Sequence, residues 1–136
     1  PAFLFKTEPG SYSYDDLVRD KRTVWEGVAN ALALIHLRQV RRGDEVMIYH
    51  SGKDKAAVGL ARAATGPYAD PKLGDEKRVV VDLVPVRAFA TAVPLATFRA
   101  DPELQGVALV KNTRLSVMPL SGAELARILR FTGAKT

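Results

Sequence analysis

The stretch covering residues 78–90 constrains the fold most, because it is typical of one long β-strand. A continuous apolar run, Val79 to Val81, is followed by alternation of apolar and other residues, which is the pattern of an extended strand. Pro85 has no backbone N–H to give to a neighbouring strand, so it predicts a bulge, an edge or a bend at that point. The chain is therefore expected to contain an extended strand that is interrupted or bent along its length.

Shorter strand patterns lie before and after this stretch. Residues 2–6 and 115–119 each predict a strand, and residues 45–50 and 56–64 flank a polar turn, which indicates an antiparallel hairpin. Gly59, inside the second arm of that hairpin, predicts a bulge or a close approach of another group.

Short helices are expected between the strands. Ser13 with Asp16, and Ser121 with Glu124, form capping boxes that predict helix N-termini. Further predictions are a helix over residues 31–40 capped by Asn30, a short helix over residues 94–100, and a loop over residues 66–76 rich in Gly, Pro and Asp. Several strands with short helices inserted between them predict a small α+β domain built on a curled sheet or barrel.

Composition excludes several classes of protein. The 136 residues suffice for one domain with a core, and 47% of them are hydrophobic. No run of about 18 apolar residues is present, so no transmembrane helix is expected. Cysteine is absent, which excludes disulfides, a thiol nucleophile and thiolate zinc sites. The N-terminal residues do not have the pattern of a signal peptide, so the expected location is cytoplasmic.

The net charge of +5 suits an anionic partner, of which nucleic acid is the commonest. The chain lacks a phosphate-binding G-x-x-x-x-G-K-[ST] motif, a G-x-G-x-x-G motif and a histidine spacing typical of zinc sites. His36 and His50 are the only histidines. Although Ser51 follows His50, adjacent strand residues point to opposite faces, and no third group orients them. A hydrolase is therefore disfavoured.

Trp25, the only tryptophan, lies in a segment that Gly27 and Asn30 mark as irregular. An irregular segment that presents a flat ring could hold a planar ligand such as a nucleobase. An indole also buries a large apolar area, so the residue alone favours a core position. Lys6, at the end of a predicted strand and before Thr7 and Glu8, is the other candidate for a ligand contact, at the rim of the sheet.

Four sequence blocks together are more specific than any one of them: Lys6 to Pro9, Trp25 to Asn30, Tyr49 to Ser51, and Arg114 to Val117. In this order they resemble the EVE domain family, over nearly the whole chain. The resemblance implies a PUA-like fold, a curled β-barrel of about five to six strands with short helices packed around it. It also implies a single domain over residues 1–131, followed by a frayed tail over residues 132–136.

What the resemblance implies about function is a module that holds a flipped-out modified base, such as a methylated cytosine derivative, in a pocket with aromatic walls. The partner is modified DNA or RNA, and neither catalysis, a cofactor, a metal nor a membrane is expected. By position, the implied pocket residues are Lys6, Thr7, Glu8, Trp25, Val28, Asn30, Tyr49, His50, Ser51, Tyr68, Arg114, Leu115 and Ser116. Phosphate contacts are expected from the basic loop residues Lys53, Lys55 and Lys111.

The sequence departs from the family pattern beside Asn30. Ala29 and Leu32 stand where the family usually has an arginine and a glutamine. If that arginine contacts the ligand in the family, this chain has lost the contact and is expected to read another base or bind more weakly. Two alternatives remain open at this point. One is a PUA-type RNA-binding module without preference for modification, and the other is an enzyme acting on a nucleotide or modified base with His50 as acid or base.

Overall fold

The computed structural model describes residues 1–133, which form seven strands, five α-helices and one 3₁₀ helix. The strands are β1 (Ala2–Thr7), β2 (Thr23–Trp25), β3 (Glu45–His50), β4 (Ala56–Ala63), β5 (Tyr68–Asp70), β6 (Asp75–Pro94) and β7 (Val117–Leu120). The helices are α1 (Tyr14–Asp20), α2 (Ala31–Leu37), α3 (Leu95–Ala100), α4 (Ala108–Lys111) and α5 (Gly122–Leu129), with the 3₁₀ helix at Pro102–Leu104.

The strands form one curled, mixed sheet with the order β2-β6-β4-β3-β1-β7, while β5 pairs with β6 outside this path. β1 and β3 are parallel, and every other pair is antiparallel. The predicted α+β class, with a curled sheet and short helices around it, is confirmed, and the sheet forms a half-barrel. The seven strands exceed the expected five to six, and the shortest are β2 and β5, of three residues each.

The strand β6 organises the sheet, because β2, β4 and β5 all pair with it. The pairing register shifts between Leu60 and Ala61, and Ala61 is the residue opposite Pro85. A second shift lies between Ala57 and Gly59. Both irregularities fall where a proline or a glycine predicted them, and bulges of this kind bend a sheet. They allow the single long strand β6 to bend and so to remain part of a curled half-barrel.

The helix signals in the sequence are confirmed. Ser13 with Asp16 and Ser121 with Glu124 form complete capping boxes at the start of α1 and α5. The side chain of Asn30 accepts a hydrogen bond from the Ala33 N–H and caps α2, although the helix ends at Leu37 and not at residue 40. The predicted loop over residues 66–76 is wrong in part, since it contains β5, which pairs with β6.

The core lies inside the curl of the sheet and is closed by the helices. Its largest fully buried side chains are Phe5, Phe98, Leu4, Leu17, Leu37, Met47, Ile48, Leu83, Leu104, Leu109, Met118 and Ile128.

The predicted frayed tail is wrong at its first residue, because Thr132 is buried and its carbonyl accepts a hydrogen bond from the Thr91 N–H. The rest of that prediction, residues 134–136, lies outside the described residues. No helix in residues 1–133 combines the length and apolar character needed to cross a membrane.

Candidate functional site

A cavity of about 430 Å³ opens between the end of β1, the strand β2 and the loop that follows it. We call it the Trp25 pocket. It brings together segments that are far apart in sequence, because β1 and β2 lie at different places in the same curled sheet. Its walls are Lys6, Thr7, Ser11, Tyr12, Thr23, Val24, Trp25, Glu26, Gly27, Val28 and Ser116.

Trp25 is a core residue and a pocket wall at once. It is the last residue of β2 and pairs with Val81, so the prediction of an irregular segment is wrong at Trp25 itself and correct only beyond it. The side chain is only 8% exposed. Its ring lies 5.6 Å from the Phe5 ring in a tilted arrangement, and 6.3 Å from the Tyr12 ring, edge to face. These two rings hold the indole in a fixed orientation beside the cavity.

The rim of the Trp25 pocket is formed by the last residues of β1. The Lys6 ammonium donates a hydrogen bond to the Thr113 carbonyl at 2.6 Å, and burial lowers the pKa of Lys6 from its usual range. The Thr7 hydroxyl donates to the Tyr12 carbonyl at 2.7 Å. Both side chains are therefore held in place before any ligand binds, and the Lys6 ammonium retains two further N–H donors.

Several polar groups of the pocket were not identified from the sequence. Ser11, Thr23 and Glu26 line it, and Tyr12 forms part of its wall with its hydroxyl donating to the Asp20 carboxylate at 2.8 Å. The Glu26 carboxylate forms an exposed ion pair with the Lys72 ammonium at 3.2 Å. The only sequence signal for these residues was their position: Glu26 lies inside the Trp25 to Asn30 block, and Ser11, Tyr12 and Thr23 lie within three positions of a block.

Tyr49 and Ser51, which were expected beside Trp25, line a different cavity of about 260 Å³. We call it the Tyr49 cavity. They lie at the end of β3, on the other side of Lys6, and Lys6 is the one residue that lines both cavities. The walls of the Tyr49 cavity are Lys6, Tyr49, Ser51, Gly52, Lys55, Leu95, Arg99, Leu109 and Thr113.

His50, which was expected in the pocket, lines neither cavity. It is buried, and its Nε2 accepts a hydrogen bond from the Tyr14 N–H at 3.0 Å. Its Nδ1 lies 3.1 Å from a carboxylate oxygen of Asp54. Because Nε2 is an acceptor, the neutral ring carries its proton on Nδ1, and the Nδ1–H donates a hydrogen bond to the Asp54 carboxylate. Both ring nitrogens are thus used to join β3, the following turn and the start of α1.

Five other expected pocket residues are also placed outside both cavities. Asn30 is exposed and caps α2, Leu115 is buried in the core, and the Arg114 N–H donates to the Asn112 side chain on the surface. The Tyr68 hydroxyl donates to the Asp82 carboxylate, and this bond, with burial, raises the pKa of Tyr68 to about 12. The Glu8 carboxylate lies beside Gly10 and Gly52, in the turn after β1.

Of the remaining expected contacts, some line a cavity and others do not. Val28 is buried, lines the Trp25 pocket, and its carbonyl accepts a hydrogen bond from the Arg78 guanidinium at 3.2 Å. Lys53 and Lys55 line a groove of about 670 Å³ next to the Tyr49 cavity, whereas Lys111, at the end of α4, lines none of the cavities described here. Among residues 1–133, no three His, Asp or Glu side chains are grouped closely enough to hold a metal ion.

The curled mixed sheet, with an aromatic-walled cavity at the end of its first strand, defines a small PUA-like domain. The chain belongs to the EVE domain family, whose model matches residues 2–131. The resemblance seen in the sequence blocks is therefore confirmed.

Relatives from bacteria and animals share this domain over most of their length. A protein of Rhodopseudomonas palustris solved by NMR is 36% identical, with 97% of this chain and 92% of that one covered and a TM-score of 0.92. Mouse thymocyte nuclear protein 1 is 30% identical over 161 residues, which cover 93% of this chain and 71% of the relative. Human THYN1, in its crystal structure in complex with DNA containing 5-methylcytosine, is 26% identical in sequence to this chain, with a TM-score of 0.89 and 99% of each chain covered.

Proposed function

We propose that this protein binds nucleic acid and holds one modified base, of the methylated cytosine class, in the Trp25 pocket without chemically changing it. The observation that carries the proposal is the indole of Trp25, fixed by Phe5 and Tyr12 on the wall of an open cavity with a lysine at its rim. Human THYN1, similar over 99% of both chains, has been crystallised with DNA containing 5-methylcytosine, and its ligand supports this choice of class.

The energies involved are consistent with this role. Extruding a base from a duplex costs a few kcal/mol, and less from a single strand. Stacking against an aromatic ring returns about 1–3 kcal/mol, and contacts to the base edge and the phosphates supply the rest. A buried methyl group adds roughly 0.8 kcal/mol, which is less than the value of about 1.4 kcal/mol needed for a tenfold preference. A stronger preference for the modified base requires an oriented polar group.

Glu26 is our candidate for a polar group that recognises the cytosine ring itself, whose exocyclic amino group is the same with and without the 5-methyl group. Glu26 lines the pocket one residue after Trp25, and carboxylates accept hydrogen bonds from the exocyclic amino group of cytosine. Thr7, Ser11, Thr23 and Ser116 add hydroxyl or backbone groups around the same space. Ala29, which replaces the arginine usual in the family, is exposed, so base reading in this chain depends on Glu26 and these hydroxyl residues.

The proposal predicts a ranking of ligands. With single-stranded and duplex DNA and RNA of one sequence, carrying either cytosine or 5-methylcytosine at one position, we expect the methylated DNA to bind most tightly, by a factor of about two to ten. Fluorescence anisotropy at a fixed salt concentration measures each dissociation constant. Equal affinity for all cytosine and methylcytosine ligands would contradict a modified-base reader and favour a PUA-type module without this preference.

The enzyme alternative has a separate test. The buried position of His50, with both ring nitrogens engaged, supports binding without turnover. Incubation of the protein with labelled modified nucleosides and oligonucleotides, followed by chromatography, is expected to return the ligands unchanged. Conversion of any of them, at a rate proportional to protein concentration, would contradict the non-catalytic proposal.

Replacing Glu26 with alanine is expected to weaken binding of cytosine-containing ligands by about three- to tenfold, the value of one hydrogen bond to a charged group that is partly screened by solvent. Stability should change little, because its ion pair with Lys72 is exposed. The matched control is Glu103→Ala, which removes an exposed glutamate that is ion-paired with Arg127 and lines none of the cavities described here. Equal affinity in both variants would exclude Glu26 as a reader of the base.

A further inference from the structure

The Tyr49 cavity carries an excess of positive charge, and holding a base in the Trp25 pocket gives this charge no role. Three cationic side chains line it, those of Lys6, Lys55 and Arg99, and no carboxylate does. The Glu8 carboxylate lies close to Gly52 in the adjoining turn but is not part of the lining. Within residues 1–133, none of the three cations forms an ion pair. Clustered like charges repel one another, so the complementary ligand of this cavity is an anion.

The donors in this cavity are partly fixed and partly available. The Lys6 ammonium is held by the Thr113 carbonyl and lies 5.9 Å from the centre of the buried Tyr49 ring. The Arg99 guanidinium, exposed on α3, makes no hydrogen bond to any described residue, and its five N–H groups are arranged as a fork that matches phosphate oxygens. One cation is thus preorganised, while the other two can adapt to the ligand.

The Tyr49 cavity and the Trp25 pocket share one lining residue and are linked by one backbone hydrogen bond. Lys6 lines both spaces. Beside it, the Ser51 N–H from the Tyr49 cavity donates to the Thr7 carbonyl at 2.9 Å, and Thr7 lines the Trp25 pocket. Ligand groups on the two sides of Lys6 are therefore neighbours, as a base and the adjacent backbone phosphate of one strand are.

We infer that the Tyr49 cavity binds the backbone phosphate next to the base held in the Trp25 pocket, with Lys6 between the two and Arg99 and Lys55 on the outer side. The inference rests on the proposed function. From this phosphate the strand continues along the adjoining groove, which Lys53, Lys55 and Arg99 also line. Asp54, the carboxylate in that groove, is already engaged by His50.

The test is the salt dependence of binding in an Arg99→Gln variant. Each phosphate contact adds about 0.7 to the slope of log affinity against log salt for a single strand. For a single-stranded oligonucleotide with one 5-methylcytosine, we expect that slope to fall by about 0.7 and the affinity at low salt to fall about three- to tenfold. The preference for methylated over unmethylated ligand should stay as in the wild type. An unchanged slope and affinity would overturn the inference.

A matched control and a second ligand keep the outcome clear. Arg62→Gln removes an exposed arginine at the far end of β4, outside the cavities described here, and should leave the slope unchanged. Titration with inorganic phosphate, followed by NMR, should shift the amide signals of Gly52 and Thr113 in the wild type and much less in Arg99→Gln. Such shifts without any oligonucleotide binding would overturn the proposed function and leave an anion site. Oligonucleotide binding with no shift and no change of slope would overturn the phosphate site alone.

Discussion

Replacing Trp25 with alanine is expected to lower the free energy of unfolding by about 3–5 kcal/mol, the range for truncating a buried aromatic side chain, and to remove detectable base binding. The stability loss follows from the packing of the indole against Phe5 and Tyr12 in the core. The binding loss follows from the proposed function, in which the base stacks against this ring on the wall of the Trp25 pocket. Urea denaturation measures the first effect, and anisotropy with the methylated oligonucleotide measures the second.

Two variants separate these effects. Trp25→Phe keeps an aromatic wall, so it should retain part of the affinity and most of the stability. Ile128→Ala empties a fully buried position in α5 that lines none of the cavities described here, and is expected to cost about 2–5 kcal/mol without loss of binding at temperatures where it is folded. If folded Trp25→Ala bound as tightly as Ile128→Ala, the indole would be a core residue only, and the proposed pocket would be refuted.

The second large effect is expected at Gly59, where alanine should destabilise the domain by about 1–3 kcal/mol, the usual cost of overpacking a core. The Tyr14 ring occupies the place where a Cβ on Gly59 would lie. Tyr14 cannot move without cost, because its buried hydroxyl donates to the Leu60 carbonyl at 2.7 Å and its N–H donates to His50. Thermal unfolding followed by circular dichroism is a suitable measurement.

Gly122→Ala is the matched control for this substitution. Gly122 begins α5, and a Cβ there would meet open space, so alanine should be neutral or stabilise by up to about 1 kcal/mol through its better helix propensity. A Gly59→Ala protein as stable as Gly122→Ala would show that Tyr14 and the β4 bulge adjust freely. The close approach of the Tyr14 ring to Gly59 would then contribute nothing to stability.

Features set by neighbouring residues were predictable from the sequence. The capping boxes at Ser13 and Ser121 involve residues three positions apart, and both are formed. The irregularities at Gly59 and Pro85 follow from what those two residues cannot do in a regular strand. The strand β5 was missed because a strand of three residues has little pattern of its own and exists only through pairing with β6.

The candidate site also has features that follow from local sequence and features that depend on the fold. Local motifs in the sequence were enough to predict the family, the two irregularities of the sheet, and Lys6 and Trp25 as candidate ligand contacts. The fold, in contrast, places Trp25 and Tyr49 in two cavities that share Lys6, uses both ring nitrogens of His50 in internal hydrogen bonds, and brings Arg99 into the same cavity as Lys6. These relations depend on which strands are neighbours in the curled sheet, and strand pairing between distant segments leaves no local trace in the chain.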